Sequence, residues 1–446
     1  MKIEKVAVIG AGVMGSGIAA QIANAGVPVY LFDMAAKDSS HRNEIAETAI
    51  KKMLKIQPAA LMHPKNAKLI TAANIEDDLD KLAQVDWVIE AVIENPAIKM
   101  QLYEQLDKHC AVNTLISSNT STLPLKVLTA KQCDRFKRRF MISHFFNPPR
   151  YMRLLELVKS PELDPDLFKA VSEFADIKLG KGCVLCKDSP GFIANRIGTL
   201  WMQTAVLEAI SLKLTVEQCD AALSLFGIPK TAVFGLLDLI GLDLMPHVLN
   251  NFKQVLDPED RLYSITDVPD ILQNMIAEGY TGRKGKGGFY RLQPDNKAKI
   301  KQSIDLQQGD YQLSERFKIA GVSHKPADLR QFLQHDSALS LYVWRVWSAT
   351  ITYAADLIPE IADDIDAIDS AMRLGYNWRY GPFELLDRLG VEWFVERLKQ
   401  DKKPVPEFFS NSQSLYRTDA GESQYKAITG HYLPLHRAEG VLLLSD

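Results

Sequence analysis

At 446 residues, 47% hydrophobic and 24% charged, the chain has a globular composition but is too long for one core, so roughly two or three domains are expected. Its formal net charge of −3 supplies no basic field for nucleic acid or an anionic membrane surface. The longest apolar stretch, Thr231 to Met245, is broken by Asp238 and Asp243 and falls short of a membrane span.

The chain opens on a strand, Lys5-Val-Ala-Val-Ile, with no signal or transit pattern, so a cytoplasmic protein is expected. Gly10, Gly12 and Gly15 follow at G-x-G-x-x-G spacing, with Val13 and Met14 between them, and lead into the helical pattern Ile18-Ala-Ala-Gln-Ile-Ala. Glycine lets the backbone turn tightly there and approach a pyrophosphate at a helix start. A second apolar run, Val29-Tyr-Leu-Phe, ends in Asp33, 23 positions after Gly10. An acid at that spacing binds the ribose of a dinucleotide, and it favours NAD over NADP because it repels a 2′-phosphate.

Residues 36–70 read as a long, polar, helical excursion, basic at Lys51, Lys52 and Lys55. Strands are expected at Trp87-Val-Ile-Glu-Ala-Val-Ile, Leu115-Ile-Ser-Ser, Phe140-Met-Ile-Ser, Leu154-Leu-Glu-Leu-Val and Cys183-Val-Leu, with a helix from about Pro96 to His109. This alternation predicts an α/β domain, a Rossmann-type doubly wound sheet over residues 1–188, with ligands at the carboxyl ends of its strands. Cys183 and Cys186 form a single C-x-x-C without a second pair or a nearby histidine. They are read as thiols on a buried strand, and no metal is expected.

From Asp188 the apolar period becomes helical. Two all-α domains are expected, at 189–290 and 331–446, joined by a polar linker at 291–330. They are copies of one unit. Asp220-Ala-Ala-Leu recurs as Asp369-Ser-Ala-Met, and Phe234-Gly-Leu-Leu-Asp-Leu-Ile-Gly241 as Phe383-Glu-Leu-Leu-Asp-Arg-Leu-Gly390, both at an offset of 149. The first copy opens with Pro190-Gly-Phe-Ile-Ala-Asn195-Arg196, and the second keeps the arginine as Arg345 but has Trp344 in place of the asparagine. The apolar end, Gly440 to Asp446, reads as a strand that either packs back or continues into further chain.

The candidate chemical groups follow strands. Ser121 lies in Ser118-Asn-Thr-Ser121, His144 follows Phe140-Met-Ile-Ser143, and Glu156 falls twelve residues later inside an apolar run. A carboxylate on a buried strand needs a partner, and a histidine held by one is suited to take a proton. Spacing alone leaves open whether the two side chains meet, and leaves His144 open to a core role and Ser121 to a turn role.

Taken together, these segments resemble the L-3-hydroxyacyl-CoA dehydrogenase family. The resemblance runs through the glycine loop, Asp33, Glu90-Ala-Val-Ile-Glu94-Asn-Pro-Ala-Ile-Lys99, Ser118-Asn-Thr-Ser121, His144-Phe-Phe-Asn-Pro, Pro190-Gly-Phe-Ile-Ala-Asn195-Arg and Gly285-Lys-Gly-Gly-Phe-Tyr290. It implies NAD as cofactor, with Glu94, Lys99, Ser121 and Asn147 on the nicotinamide side. It also implies His144 as base, Glu156 as its partner, and Ser121 and Asn195 as donors to the substrate. It further implies a helical projection at 36–70 along coenzyme A, with Lys51, Lys52 and Lys55 as candidates for its phosphates.

The tandem copies resemble the multifunctional fatty-acid-oxidation proteins. That likeness implies an acyl-CoA substrate, oxidised from (S)-3-hydroxyacyl-CoA to 3-ketoacyl-CoA. It also implies an enoyl-CoA hydratase module or thiolase subunit as partner. Single-copy members dimerise through the helical domain. The second copy is expected to take that surface within one chain and give a monomer, with a homodimer as the other outcome. An NAD-dependent dehydrogenase of a small hydroxy or sugar acid, or an NAD-binding scaffold without activity, are the alternatives. The 36–70 excursion and the joint presence of His144, Glu156, Ser121 and Asn195 weigh against them.

Overall fold

A computed structural model describes residues 2–37, 39–293, 300–410 and 413–435, which fall into two compact units, 1–192 and 193–446. In the first unit the elements run β1 (Val6–Ile9), α1 (Val13–Asn24), β2 (Val29–Asp33), α2 (Glu44–Met53), β3 (Ile70–Asn74), β4 (Trp87–Glu90), α3 (Pro96–His109) and β5 (Leu115–Ser118). The short helices α4 (Leu125–Thr129) and α5 (Asp134–Lys137) follow, then β6 (Phe140–Phe145), β7 (Leu154–Lys159), α6 (Pro165–Ile177) and β8 (Gly182–Cys186).

The eight strands form one sheet in the order β3-β2-β1-β4-β5-β6-β7-β8. The order reverses between β1 and β4, which makes the topological switch point where such sheets bind ligands. Both faces of β1 and β4 are buried, which is why these strands read as continuous apolar runs rather than alternating ones.

One pairing departs from the parallel sheet read from the sequence: β6 and β7 are antiparallel, while the other pairs are parallel. Only residues 146–153 join them, too few for the crossover that a parallel pair needs. Strand β3 was also not foreseen. It lies at the sheet edge beside β2.

The 36–70 excursion holds one ten-residue α-helix, α2, and a 3-10 turn at Pro64–Leu69. Ala46, Ala49 and Met53 of α2, and Leu61 after it, are buried in the core of the sheet domain. The apolar spacing along α2 therefore turns one face to the sheet, and Lys51, Lys52 and Lys55 are left exposed on its other side and just beyond.

In the second unit the first copy comprises α7 (Ala194–Ser211), α8 (Val216–Leu225), α9 (Phe234–Ile240), α10 (Leu244–Val255) and α11 (Asp270–Ala277). The expected linker instead carries β9 (Tyr290–Leu292), β10 (Lys301–Ile304) and β11 (Tyr311–Leu313), an antiparallel sheet. Then come α12 (Pro326–Gln334), α13 (Ala338–Asp356), α14 (Ile365–Tyr376), α15 (Pro382–Leu389) and α16 (Val391–Gln400). A second small antiparallel sheet closes the described chain, β12 (Tyr416–Asp419), β13 (Glu422–Lys426) and β14 (Tyr432–Pro434). The strand expected at 440–446 lies outside the described residues.

The duplicated aspartates have a common task. Asp220 accepts N–H bonds from Val233, Phe234 and Gly235 and the Tyr290 hydroxyl, and Asp369 accepts from Phe383, Glu384 and the Tyr416 hydroxyl. Asp238 and Asp387 likewise bind the backbone of β9 and of the start of β12. Each copy thus ties a small sheet to its helices through two carboxylates, buried except for the half-buried Asp387.

The retained arginines cross between the copies. Arg196 donates to Tyr353 at 2.6 Å and reaches Glu360 at 3.3 Å, while Arg345 reaches Glu208 at 2.9 Å. α7 packs on α13 and α14, and α13 on α7 and α8, the reciprocal pattern of a two-fold pair.

Candidate active site

The glycine loop joins β1 to α1, and each glycine has its own reason. Gly10 has φ +106°, and a Cβ on it would stand 2.5 Å from the carbonyl oxygen of Ala91. A Cβ on Gly15 would run into the carbonyl oxygen of Gly10. These two make the turn. At Gly12, by contrast, a Cβ would meet nothing within 4 Å, and φ is an ordinary −68°, so its freedom from a side chain serves something outside the fold.

No side chain caps α1, so its first-turn N–H groups are free to receive an anion. Val13 beside them is 72% exposed and Met14 half-buried. Asp33 ends β2 next to this loop, its carboxylate accepting Ala11 N–H at 2.6 Å and Met34 N–H at 2.7 Å. The space over Gly12, the uncapped helix and the acid at the strand end fit a dinucleotide's pyrophosphate and ribose.

Beyond β4 the chain builds a buried charge network. Glu90, fully buried, accepts Lys99 Nζ at 2.6 Å, Tyr103 OH at 2.7 Å, Ser118 Oγ at 2.6 Å and Val92 N–H at 2.8 Å. Asn95 starts α3 by accepting the Ala97 and Ile98 N–H groups, with Pro96 in the first turn. That cap fixes Lys99 one turn into the helix, facing inward. Its ammonium is 1% exposed and also lies 3.3 Å from Glu94. Lys99 thus bridges two carboxylates, Glu90 and Glu94.

Glu94 in turn accepts the Thr120 hydroxyl, the N–H groups of Ser121 and Thr122, and the Thr122 hydroxyl. Burial pushes the Glu94 carboxyl up, but the Lys99 ammonium and these hydrogen bonds outweigh it and hold it below the ordinary carboxylate range. Glu94 thus shapes the turn on which Ser121 sits half-buried.

A measurable consequence follows. Lys99→Met strands Glu90 in the core without its cation, which should cost about 3–5 kcal/mol of stability, read as a lowered urea midpoint. Glu90→Gln in the same background should recover part of it. Glu94 sits lower in the folded chain than in the unfolded one. Its stabilisation is therefore present above the ordinary carboxylate range and lost as pH falls through the folded value. Without Lys99, acid unfolding should begin at higher pH. An unchanged midpoint would show that the network carries no stability.

His144 and Glu156 meet. They are directly opposed in the β6–β7 register, so both side chains project from one face of the sheet. His144 Nδ1 lies 2.8 Å from Glu156 Oε2, with the His144 side chain 8% exposed and that of the glutamate fully buried. The carboxylate fixes Nδ1 as the protonated nitrogen and leaves Nε2 as the acceptor. Phe146 and Phe192 flank the ring at 4.5 and 5.6 Å between centroids.

Asn119, which the sequence did not single out, accepts Phe145 N–H at 2.8 Å and so ties the Ser121 turn to the strand of His144. Asn147 follows at the exposed start of the β6–β7 connection. Asn195 belongs to the second unit, half-buried in the first turn of α7. Among the described residues no cluster of three or more His, Cys, Asp and Glu could hold a metal, and no helix is long and apolar enough to cross a membrane.

Comparison with known proteins decides the family. Residues 5–189 match the 3-hydroxyacyl-CoA dehydrogenase NAD-binding domain, and the C-terminal domain of the same family matches twice, at 191–292 and 342–432. The chain belongs to the 3-hydroxyacyl-CoA dehydrogenase family.

Among its relatives, a Rickettsia felis protein assigned as a fatty acid oxidation complex trifunctional enzyme is 40% identical over 92% of this chain and 57% of its own length. A Bacillus subtilis protein assigned as a 3-hydroxyacyl-CoA dehydrogenase is 37% identical over 91% of this chain and 53% of its own. The chain thus spans little more than half the length of these two relatives. A mitochondrial hydroxyacyl-coenzyme A dehydrogenase of Rattus norvegicus is 32% identical over 65% of the chain and 91% of its own length. The fold is shared with the crystal structure of 3-hydroxybutyryl-CoA dehydrogenase from Escherichia coli, at TM-score 0.66 and 24% identity over 90% of this chain and 95% of that one.

Proposed function

We propose that this chain oxidises (S)-3-hydroxyacyl-CoA to 3-ketoacyl-CoA with NAD⁺, and runs the reverse reduction with NADH. The observation that carries the reading is the buried His144–Glu156 pair, 2.8 Å apart, in a domain whose glycine loop fits a dinucleotide. Bound NAD⁺ supplies the acceptor for the hydride that leaves C3 of the substrate.

His144 Nε2 takes the proton of the 3-hydroxyl, so the hydroxyl oxygen becomes the carbonyl oxygen of the product. Glu156 stabilises the imidazolium as it forms and holds the ring in one tautomer. Ser121 is assigned as a hydrogen-bond donor to the substrate, on a turn that Glu94 fixes in advance. Asn195 is assigned the same role on its motif alone.

Asp33 and the α1 start would hold the ribose and pyrophosphate, and Asn147 would lie on the nicotinamide side. Lys51, Lys52 and Lys55 are exposed and are assigned to the coenzyme A phosphates on charge alone. A cytoplasmic location, and a hydratase module or thiolase subunit as partner, rest on the likeness to the bacterial relatives.

Glu156→Gln tests the pair. Its amide can donate to Nδ1 and leave the proton on Nε2, the tautomer that cannot accept. The kcat should fall about 10²- to 10⁴-fold with the thermal midpoint nearly kept. A variant with full kcat would remove Glu156 from the mechanism.

A further inference from the structure

The connection between β6 and β7 follows His144 directly, and it is fastened on three sides. Pro149 lies against α1, where a Cβ on Gly17 would stand 2.8 Å from the proline ring. Gly17 is therefore small because the connection comes down on it. Arg150 Nη1 donates to the carbonyl oxygens of Ala59 at 2.7 Å and Leu61 at 3.0 Å.

Lys181, 1% exposed, fastens the third side by donating to the carbonyl oxygens of Pro149 and Met152, the latter at 2.6 Å. Burial pushes this ammonium down to about 8. An ammonium is costly at such a site unless it is hydrogen-bonded, and the two carbonyls take two of its three N–H groups. From the far side, α1 grips the segment that Arg150 holds: Asn24 donates to Ala60 O at 3.0 Å and accepts Met62 N–H at 2.8 Å.

We propose that Arg150 and Lys181 are positioning residues for the reaction. They hold the connection that carries Asn147, just after the strand of His144, to the segment at 59–61 and to the turn before β8. Both of these are bound in turn by α1, the helix assigned to the dinucleotide, through Asn24 and through Gln21 Nε2 donating to Leu179 O at 2.9 Å. Hydride and proton leave the same carbinol, so the nicotinamide and the imidazole must be set against one substrate carbon. One is placed from α1 and the other from β6. The strap is the covalent and hydrogen-bonded link between them, and a misplacement of about 1 Å in such an arrangement costs on the order of 10²-fold in rate. The inference rests on the proposed dehydrogenase activity for its kinetic half and on geometry alone for its structural half.

The test compares the parent chain with Arg150→Met, Arg150→Lys and Lys181→Met, using NADH, its 4-deuterated form and acetoacetyl-CoA. Arg150→Met and Lys181→Met should lower kcat ten-fold or more, change NADH affinity less than two-fold, and enlarge the deuterium isotope effect on kcat. Arg150→Lys, able to reach one carbonyl but not grip two, should fall between. Amide hydrogen exchange should rise at least ten-fold in the peptide spanning 144–153 while β1 and β4 stay protected.

Parental kcat and isotope effect in the folded variants would overturn the proposal, even with lowered thermal midpoints. If the parent itself does not turn over, the dehydrogenase reading fails. Exchange then decides the strap, with unchanged protection at 144–153 overturning it and increased exchange upholding it.

Discussion

Replacing His144 with alanine should remove most turnover and leave the cofactor site alone. Loss of a positioned general base typically costs about 10²- to 10⁴-fold, and kcat is expected to fall within that range. NADH affinity should stay within two-fold, because the glycine loop follows β1 and Asp33 ends β2, away from the strand of His144. The alanine also leaves the buried Glu156 carboxylate without its imidazole, which should cost about 1–3 kcal/mol. His144→Asn separates the two effects. Its amide nitrogen falls where Nδ1 lies and can still donate to Glu156, so it should fold more nearly like the parent yet be as inactive as the alanine variant. Near-parental kcat in a well-folded His144→Asn would show that His144 is not the base.

Gly12→Ala should do the opposite. The backbone at this position suits any residue, and the added methyl meets nothing in the protein within 4 Å. Its thermal midpoint should match the parent. The methyl would instead occupy the space assigned to the pyrophosphate, and NADH binding should weaken at least ten-fold, about 1.4 kcal/mol. Gly10→Ala makes the contrast, since it strains a φ of +106° and drives a carbon toward Ala91. That variant should lose stability as well as binding. If Gly12→Ala bound NADH like the parent, the dinucleotide would have to lie elsewhere.

The legible part of this site is the part governed by local chemistry. Gly10, Gly12, Gly15 and Asp33 could be read because a tight turn, a helix start and a strand end each demand particular residues at fixed spacing. His144 and Glu156 could be named but not joined. A run of apolar residues does not disclose strand direction, and only the antiparallel register of β6 and β7 places the two side by side.

Lys99 shows a different limit. Nothing in a charged residue on a polar helix tells whether it faces solvent or, as here, two carboxylates in the interior. Asp220 and Asp369 were visible as repeated letters, yet their role depends on β9 and β12. Those strands are three and four residues long, too short to carry an alternating pattern. In the 36–70 excursion lysines and polar residues dominate the composition, while three small or apolar positions on α2 and Leu61 decide that it packs on the sheet.

The central claim is a reaction, and NADH absorbance tests it most directly. Purified protein, NADH and acetoacetyl-CoA should give a rapid fall in absorbance, with little or none when free acetoacetate replaces the thioester or NADPH replaces NADH. No fall with acetoacetyl-CoA, in a sample shown to bind NADH, would contradict the account. Equal rates with the thioester and the free acid would contradict it too, by making this a dehydrogenase of small hydroxy acids.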